Sequence, residues 1–295
     1  MKQRHLTLED WFVPVSAAQR AAGLEAYEAH LAARDGRPDV ATRHLPCREA
    51  RMAQFRHDDG RFQGRIDAAQ FAAYLHATPG PGTPDAPPVP LDLLFVFACV
   101  RANTYEEYAV EQLIETIELH QEAMPNLVNL TIMFEEYYHT KFLCSIAALF
   151  GLNLGVAPTP PFVVRALIAG LRHLPLWVAH PLTLCAEIIG LALFLQLYEL
   201  AGAVFADDPA LRHAIELRLG EVIADELGHI SYNRLLITPV GLQIARRLLP
   251  LVARGSRHGL PGTEALGLYP FSFAAMYDWH VGCLPDGILD QAFLA

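Results

Sequence analysis

Residues 126–150 read NLVNLTIMFEEYYHTKFLCSIAALF, and residues 209–236 read PALRHAIELRLGEVIADELGHISYNRLL. Both stretches are long enough for helices of six or more turns, and each contains Glu-x-x-His, at Glu136–His139 and at Glu226–His229. A spacing of three on an α-helix puts both side chains on one face, within reach of a single ion. Carboxylate together with imidazole suits iron or manganese. One such motif arises readily in any Glu-rich helix, and surface ion pairing is its ordinary explanation. Here both motifs sit among apolar neighbours: Ile132, Met133 and Leu143 in the first stretch, Leu219, Val222 and Ile230 in the second. Carboxylates on an inward face need a compensating charge, and metal supplies it.

Two further helices flank this pair. One is expected from about Leu91 to His120, the other from about Pro181 to Phe205. Met124-Pro125-Asn126 separates the first helix from the second, and Asp207-Asp208-Pro209 separates the third from the fourth. In the latter turn Asp208 reads as an N-cap and Pro209 as the first helical residue. The connection between the hairpins is longer and contains Pro158, Pro160 and Pro161. Two tight hairpins joined by one long crossover give a four-helix bundle with a crossover connection. Residues 78–90, TPGPGTPDAPPVP, read as a linker. The chain therefore divides into an N-terminal helical segment (1–77) with helical patches at Ser16–Ala33 and Ile66–His76, the linker (78–90), the bundle (91–236) and a C-terminal extension (237–295) whose aromatic stretch packs back on the bundle.

Each flanking helix should supply one carboxylate. The third offers Glu187 and Glu199. Glu226 lies 18 residues after Asp208 and Glu187 lies 19 before Ala206, which makes them level across the turn. Glu199 falls roughly 18 Å along the axis from Glu226 at the usual helical rise, so Glu187 is preferred. The first helix offers Glu106, Glu107, Glu111, Glu115 and Glu118, with an inward face marked by Val110, Leu113, Ile114 and Ile117. Helical angle puts Glu106 and Glu107 within that face and Glu111 on its border. Counting from Pro125 instead makes Glu111 level with Glu136. The two tests disagree; Glu107 is taken first and Glu111 next. Glu135 and Asp225 adjoin the motifs and are candidates to orient the histidines. Each projects about 100° from its neighbour, so a solvated position is expected for both. Tyr137, Tyr138 and Tyr198 are read as pocket-lining or redox-active groups or, more ordinarily, as core residues with a bonded hydroxyl.

The order Glu, Glu-x-x-His, Glu, Glu-x-x-His, one element per helix, resembles the ferritin-like di-iron carboxylate superfamily over residues 91–236, about half of the chain. The resemblance implies an all-α fold, a ferritin-like four-helix bundle with extra N- and C-terminal helical segments. It implies metal ligation by Glu107 or Glu111, Glu136, His139, Glu187, Glu226 and His229, with Glu136 and Glu226 as bridges. It further implies two Fe ions, with Mn as the alternative metal, and O2 as co-substrate. The enzyme class would be a di-iron oxygenase of the monooxygenase, N-oxygenase or desaturase type, acting on a small apolar or aromatic molecule. No ferredoxin-type cysteine cluster or dinucleotide fingerprint is legible, so electrons would come from an external donor protein. Iron storage without oxygenation is the alternative, although ferritin subunits are much shorter. The arylamine N-oxygenases carry a third histidine one turn before the second Glu-x-x-His, where this chain has Val222.

Composition agrees with a packed domain. At 53% hydrophobic and 18% charged, the 295 residues can bury a sizeable core. A formal net charge of −10 repels phosphate backbones, so nucleic acid is not an expected partner. The arginines near residues 43–65 are scattered and read as solvated. Cys47, Cys99, Cys144, Cys185 and Cys283 form no CxxC pair; they read as free thiols in a cytoplasmic protein. Leu174 to Tyr198 approaches the length of a membrane span, but His180-Pro181 and Glu187 interrupt it, so a buried helix and no transmembrane span are expected. A homodimer is compatible with this reading.

Overall fold

The helix Pro209–Leu236 has no solvent face along most of its length: every residue from 218 to 235 is buried. The rest of the architecture follows from how it is covered. The computed structural model describes residues 4–39, 42, 44–77, 89–119, 127–152, 154, 165–166, 169–170 and 173–295, without the side chains of 112–119, 127 and 176. In chain order the helices are α1 (Ala17–Asp35), α2 (Pro46–Arg56), α3 (Ala68–Ala77), α4 (Leu91–Leu119), α5 (Leu127–Leu149), α6 (Leu176–Val204), α7 (Pro209–Leu236), α8 (Pro239–Ser256) and the single turn α9 (Asp286–Leu289). The protein is all-helical: among the described residues there is no strand, only isolated bridges at Thr7–His280 and Asp39–His44.

Four long helices close a ring, α4 on α5, α5 on α7, α7 on α6 and α6 on α4. α1 lies on α7, and α2 lies on α5. α8 packs along α6, with Pro181 against Gly241 and the Cys185 thiol donating to the Ala245 carbonyl at 3.3 Å. Residues of the tail, including Leu268, Val281 and Leu289, join the same apolar core, and Trp279 packs on Trp11 with ring centroids 5.9 Å apart. Two glycines of α7 allow close approach. A Cβ at Gly220 would press on Ile288 at 3.3 Å, and one at Gly228 on Tyr27 at 3.4 Å.

Local signals set the ends. Ser16 and Gln19 form a reciprocal capping box at the start of α1. Asp208 caps α7 by accepting from the Leu211 amide, with Pro209 at the first turn as expected. α6 begins at Leu176, earlier than the Pro181 start, and carries Pro181 in its second turn. α2 was not foreseen. It opens on Pro46 without a side-chain cap, and only Arg48, Met52 and Phe55 are buried. The turn at 124–126, the prolines at 158–161, most of the 78–90 linker and the side chains of Glu115 and Glu118 lie outside the described residues.

Trp177–Val204 within α6 is long and apolar enough by length and composition to cross a membrane, and half of its most apolar window is buried inside the fold. Cys99 and Cys185 are buried free thiols, whereas Cys47 and Cys283 are exposed.

α7 is anchored to its surroundings by Arg218, 1% exposed. It donates to Ser145 Oγ at 2.9 Å, to the Ala214 carbonyl at 2.7 Å and to the Phe55 carbonyl at 2.9 Å, and its guanidinium lies 4.4 Å from the centre of the Phe55 ring. Truncation removes these three bonds and the ring contact and leaves a cavity in a dry interior. Arg218→Ala should therefore lower stability by about 3 kcal/mol in urea unfolding. A loss under about 1 kcal/mol would mean that Arg218 does not pin α2 and α5 to α7.

Candidate metal centre

On α5, Glu135, Glu136 and His139 are all buried, and on α7 so are Asp225, Glu226 and His229. Both Glu-x-x-His motifs face the ring interior, and the two imidazoles stand 5.7 Å apart, centroid to centroid. Glu187 of α6 and Glu106 of α4 complete the cluster from the opposite side. The donors fall into two groups that share Glu136: Glu106, Glu136, His139 and Glu226 in one, and Glu136, Glu187 and His229 in the other. Within each group the ligand atoms lie within 4.8 Å of one another, which could hold a metal ion.

Glu136 sits between the histidines with one oxygen for each. Its Oε1 is 2.8 Å from His229 Nδ1, and its Oε2 is 3.2 Å from His139 Nδ1. Glu226 Oε1 is 3.6 Å from His139 Nδ1, and Glu187 Oε2 is 3.8 Å from His229 Nδ1. Glu226 thus belongs to one group only, where the sequence suggested a bridge. Its Oε2 is buried without a hydrogen-bond partner and faces the space above Gly190.

The first-helix carboxylate needs correction. Glu107 and Glu111 are exposed and stand outside the cluster. Glu106 takes the position because it falls on the stripe Cys99, Asn103, Glu106, Val110; Glu107 is turned about 100° away. Counting from the turn failed for a related reason. Glu106 lies 13 residues before the end of α4, whereas its neighbour Glu136 lies nine after the start of α5. The two helices are therefore not equidistant from their connection. On α6, Glu187 is in the cluster and Glu199 is exposed.

Glu135 and Asp225 are not solvated either; each is 1% exposed. They hold the outer edges of the imidazoles in a crossed arrangement. His139 Nε2 of α5 meets Asp225 Oδ2 of α7 at 3.0 Å, and His229 Nε2 of α7 meets Glu135 Oε2 of α5 at 3.0 Å. A carboxylate on Nε2 assigns the proton to that nitrogen and leaves the Nδ1 lone pair facing inward. Both Nδ1 atoms are buried without a hydrogen-bond partner. Two inward nitrogens that meet only the shared Glu136 closely, with a Glu226 oxygen that has no partner, form a donor set that fits cations. Four inner carboxylates also balance two divalent charges.

Without a cation the charges crowd. Burial, then repulsion from Glu136, pushes Glu106 up to about 8. Burial and the neighbouring Glu187, Glu136 and Glu106 raise Glu226 well above the carboxylate range. Burial opposes the imidazolium of His139, but Glu136 and the bond to Asp225 outweigh it and raise His139 to about 10. Burial also opposes ionised Glu136, yet the two histidines hold it below the usual range.

No family model matches this chain, and neither a curated protein nor a solved structure matches it.

A raised folded-state pKa stabilises the metal-free chain below the unfolded value and loses that contribution as pH climbs through the folded one. For Glu106 the window runs from 4.5 to about 8, and for His139 from 6.5 to about 10. Thermal unfolding in chelator should therefore show a higher midpoint at about pH 5 than at about pH 8. Glu226→Gln should narrow the gap, as should added divalent metal. A higher midpoint at the alkaline end would contradict the crowding described here.

Proposed function

We propose that this chain is a ferritin-like carboxylate-bridged di-iron protein that activates O2 and oxidises a small organic molecule, with electrons delivered by a separate protein. The observation that carries the reading is the convergence of six nitrogen- and oxygen-bearing side chains from four ring-packed helices, with Glu136 common to both halves. Carboxylate and imidazole donors together suit iron or manganese. A pair of irons held there would supply Lewis acidity and electrons for O2 reduction.

The chain's own groups define the rest. Glu136 would be common to both ions, with one oxygen toward each histidine. Glu106 and Glu226 serve the position of His139, and Glu187 serves that of His229. Asp225 and Glu135 keep each Nε2 proton in place, so that both rings present the same edge. Glu226 Oε2, buried beside Gly190 without a hydrogen-bond partner, would be available to an ion held there. Leu184, Ile188 and Leu191 on α6 flank Glu187 with apolar surface, which keeps water scarce and favours an apolar or aromatic substrate.

Anaerobic addition of Fe(II) should load about two irons per chain. Oxygen should then bring up the near-ultraviolet absorption of a ferric pair and be consumed in step with supplied reductant. Glu106→Ala, Glu136→Ala and His229→Ala should each lower bound iron at least about tenfold, whereas Glu107→Ala should leave it unchanged. Uptake of many irons per chain would favour storage instead, and full iron content in both Glu136→Ala and His229→Ala would overturn the site.

A further inference from the structure

One buried cation reaches the metal cluster from a part of the chain that the donor pattern does not include. Arg48, in the first turn of the short helix α2, is 2% exposed. Its Nη2 donates to Asp225 Oδ1 at 2.7 Å and to Glu135 Oε1 at 3.0 Å. Its Nη1 donates to Glu221 Oε2 at 3.2 Å, and its Nε to Asp35 at the end of α1. Asp225 and Glu135 are the two carboxylates whose other oxygens hold His139 and His229. A single nitrogen therefore closes a continuous chain from one imidazole to the other: His139, Asp225, Arg48, Glu135, His229.

The neighbours reinforce this geometry. Arg34, at the end of α1, pairs with Asp225 and lies 3.6 Å from Glu221, and Arg51 pairs with Glu221. The inner donors face away from these guanidinium groups, whose partners are all in the outer layer. The planar fork of arginine can hold several carboxylates at fixed angles at once, which a lysine ammonium does not reproduce. Asp35 touches Arg48 and is in neither donor group.

Resting on the di-metal reading above, we propose that Arg48 is the positioning residue of the metal centre: by holding Asp225 and Glu135 in register it sets the orientation of both histidines and makes the α1–α2 hairpin part of the site. Metal occupancy and hairpin docking are then coupled, each strengthening the other to the same degree.

Cobalt(II), with its visible d–d bands, is the probe. The full-length chain, stripped of metal, is titrated alongside Arg48→Met, Arg48→Lys and Asp35→Asn, with helicity measured for each. In Arg48→Met the affinity should fall at least about tenfold, the range seen when groups behind metal-bound histidines are removed, and the band shape should change. Arg48→Lys keeps the charge but not the fork, so it should recover part of the affinity while its bands stay displaced. Asp35→Asn removes the carboxylate that holds Arg48 Nε and should displace the bands in the same direction with a smaller loss. It decides the question if Arg48→Met does not fold. Parent affinity and bands in a folded Arg48→Met, or in Asp35→Asn where that variant decides, would overturn the role of Arg48 while leaving the metal site intact. A parent chain that binds no cobalt would instead overturn the di-metal reading itself.

Discussion

Like charges gathered in a dry interior constrain everything else in this molecule. Burying one unpaired carboxylate costs several kcal/mol, and this core holds Glu136, Glu226, Glu135 and Asp225 with Glu106 and Glu187 beside them. Two separate devices relieve the repulsion. On the outer side Arg34, Arg48 and Arg51 pair with Asp35, Glu135, Glu221 and Asp225, three positive charges set against four negative ones. On the inner side, among the described residues, no guanidinium enters, and the only positive groups available are the two imidazoles. The asymmetry divides the polar core into a layer paired with guanidinium groups and a layer whose donors could hold a metal ion.

The fold supports this division. α7 has to be covered on all sides, because its polar residues would otherwise be hydrated and mobile. α5 and α6 cover two sides. The N-terminal hairpin, the tail and the glycines that admit them cover the others. Segments outside the four-helix ring therefore complete the electrostatic balance of the site. Arg218 does comparable work toward one end of α7, where it meets carbonyls and a ring instead of carboxylates.

What was legible in the sequence depended on the range of the interaction. Glu136–His139 and Glu226–His229 could be read because a spacing of three is a property of one helix. Glu187 could be chosen over Glu199 because the Asp208 turn is short and well marked, so residues on either side of it stay level. Glu106 was within the inward arc together with Glu107, and helical angle did not separate them; counting from the turn pointed to Glu111 because α4 and α5 are not equidistant from their connection. Glu135 and Asp225 were expected in solvent on helical angle alone; that rule presupposes a wet face, and α7 has none here. Arg48 gave no local signal at all. Its helix is short and largely exposed, and its partners lie up to 177 residues away in the chain, so only tertiary packing reveals it.

The crossed pairing of the histidines has a further consequence for the bundle. α5 supplies the carboxylate that holds the histidine of α7, and α7 supplies the one that holds the histidine of α5. A slide of one helix along the other by a single residue, roughly 1.5 Å, would break both bonds together and also pull Glu136 from between the rings. Apolar packing alone tolerates small shifts, because a leucine meets many equivalent neighbours. Directed bonds at about 3 Å do not. The polar layer therefore fixes the register of α5 against α7 more tightly than the surrounding leucines and isoleucines can, and the register in turn holds the donor atoms within reach of one another.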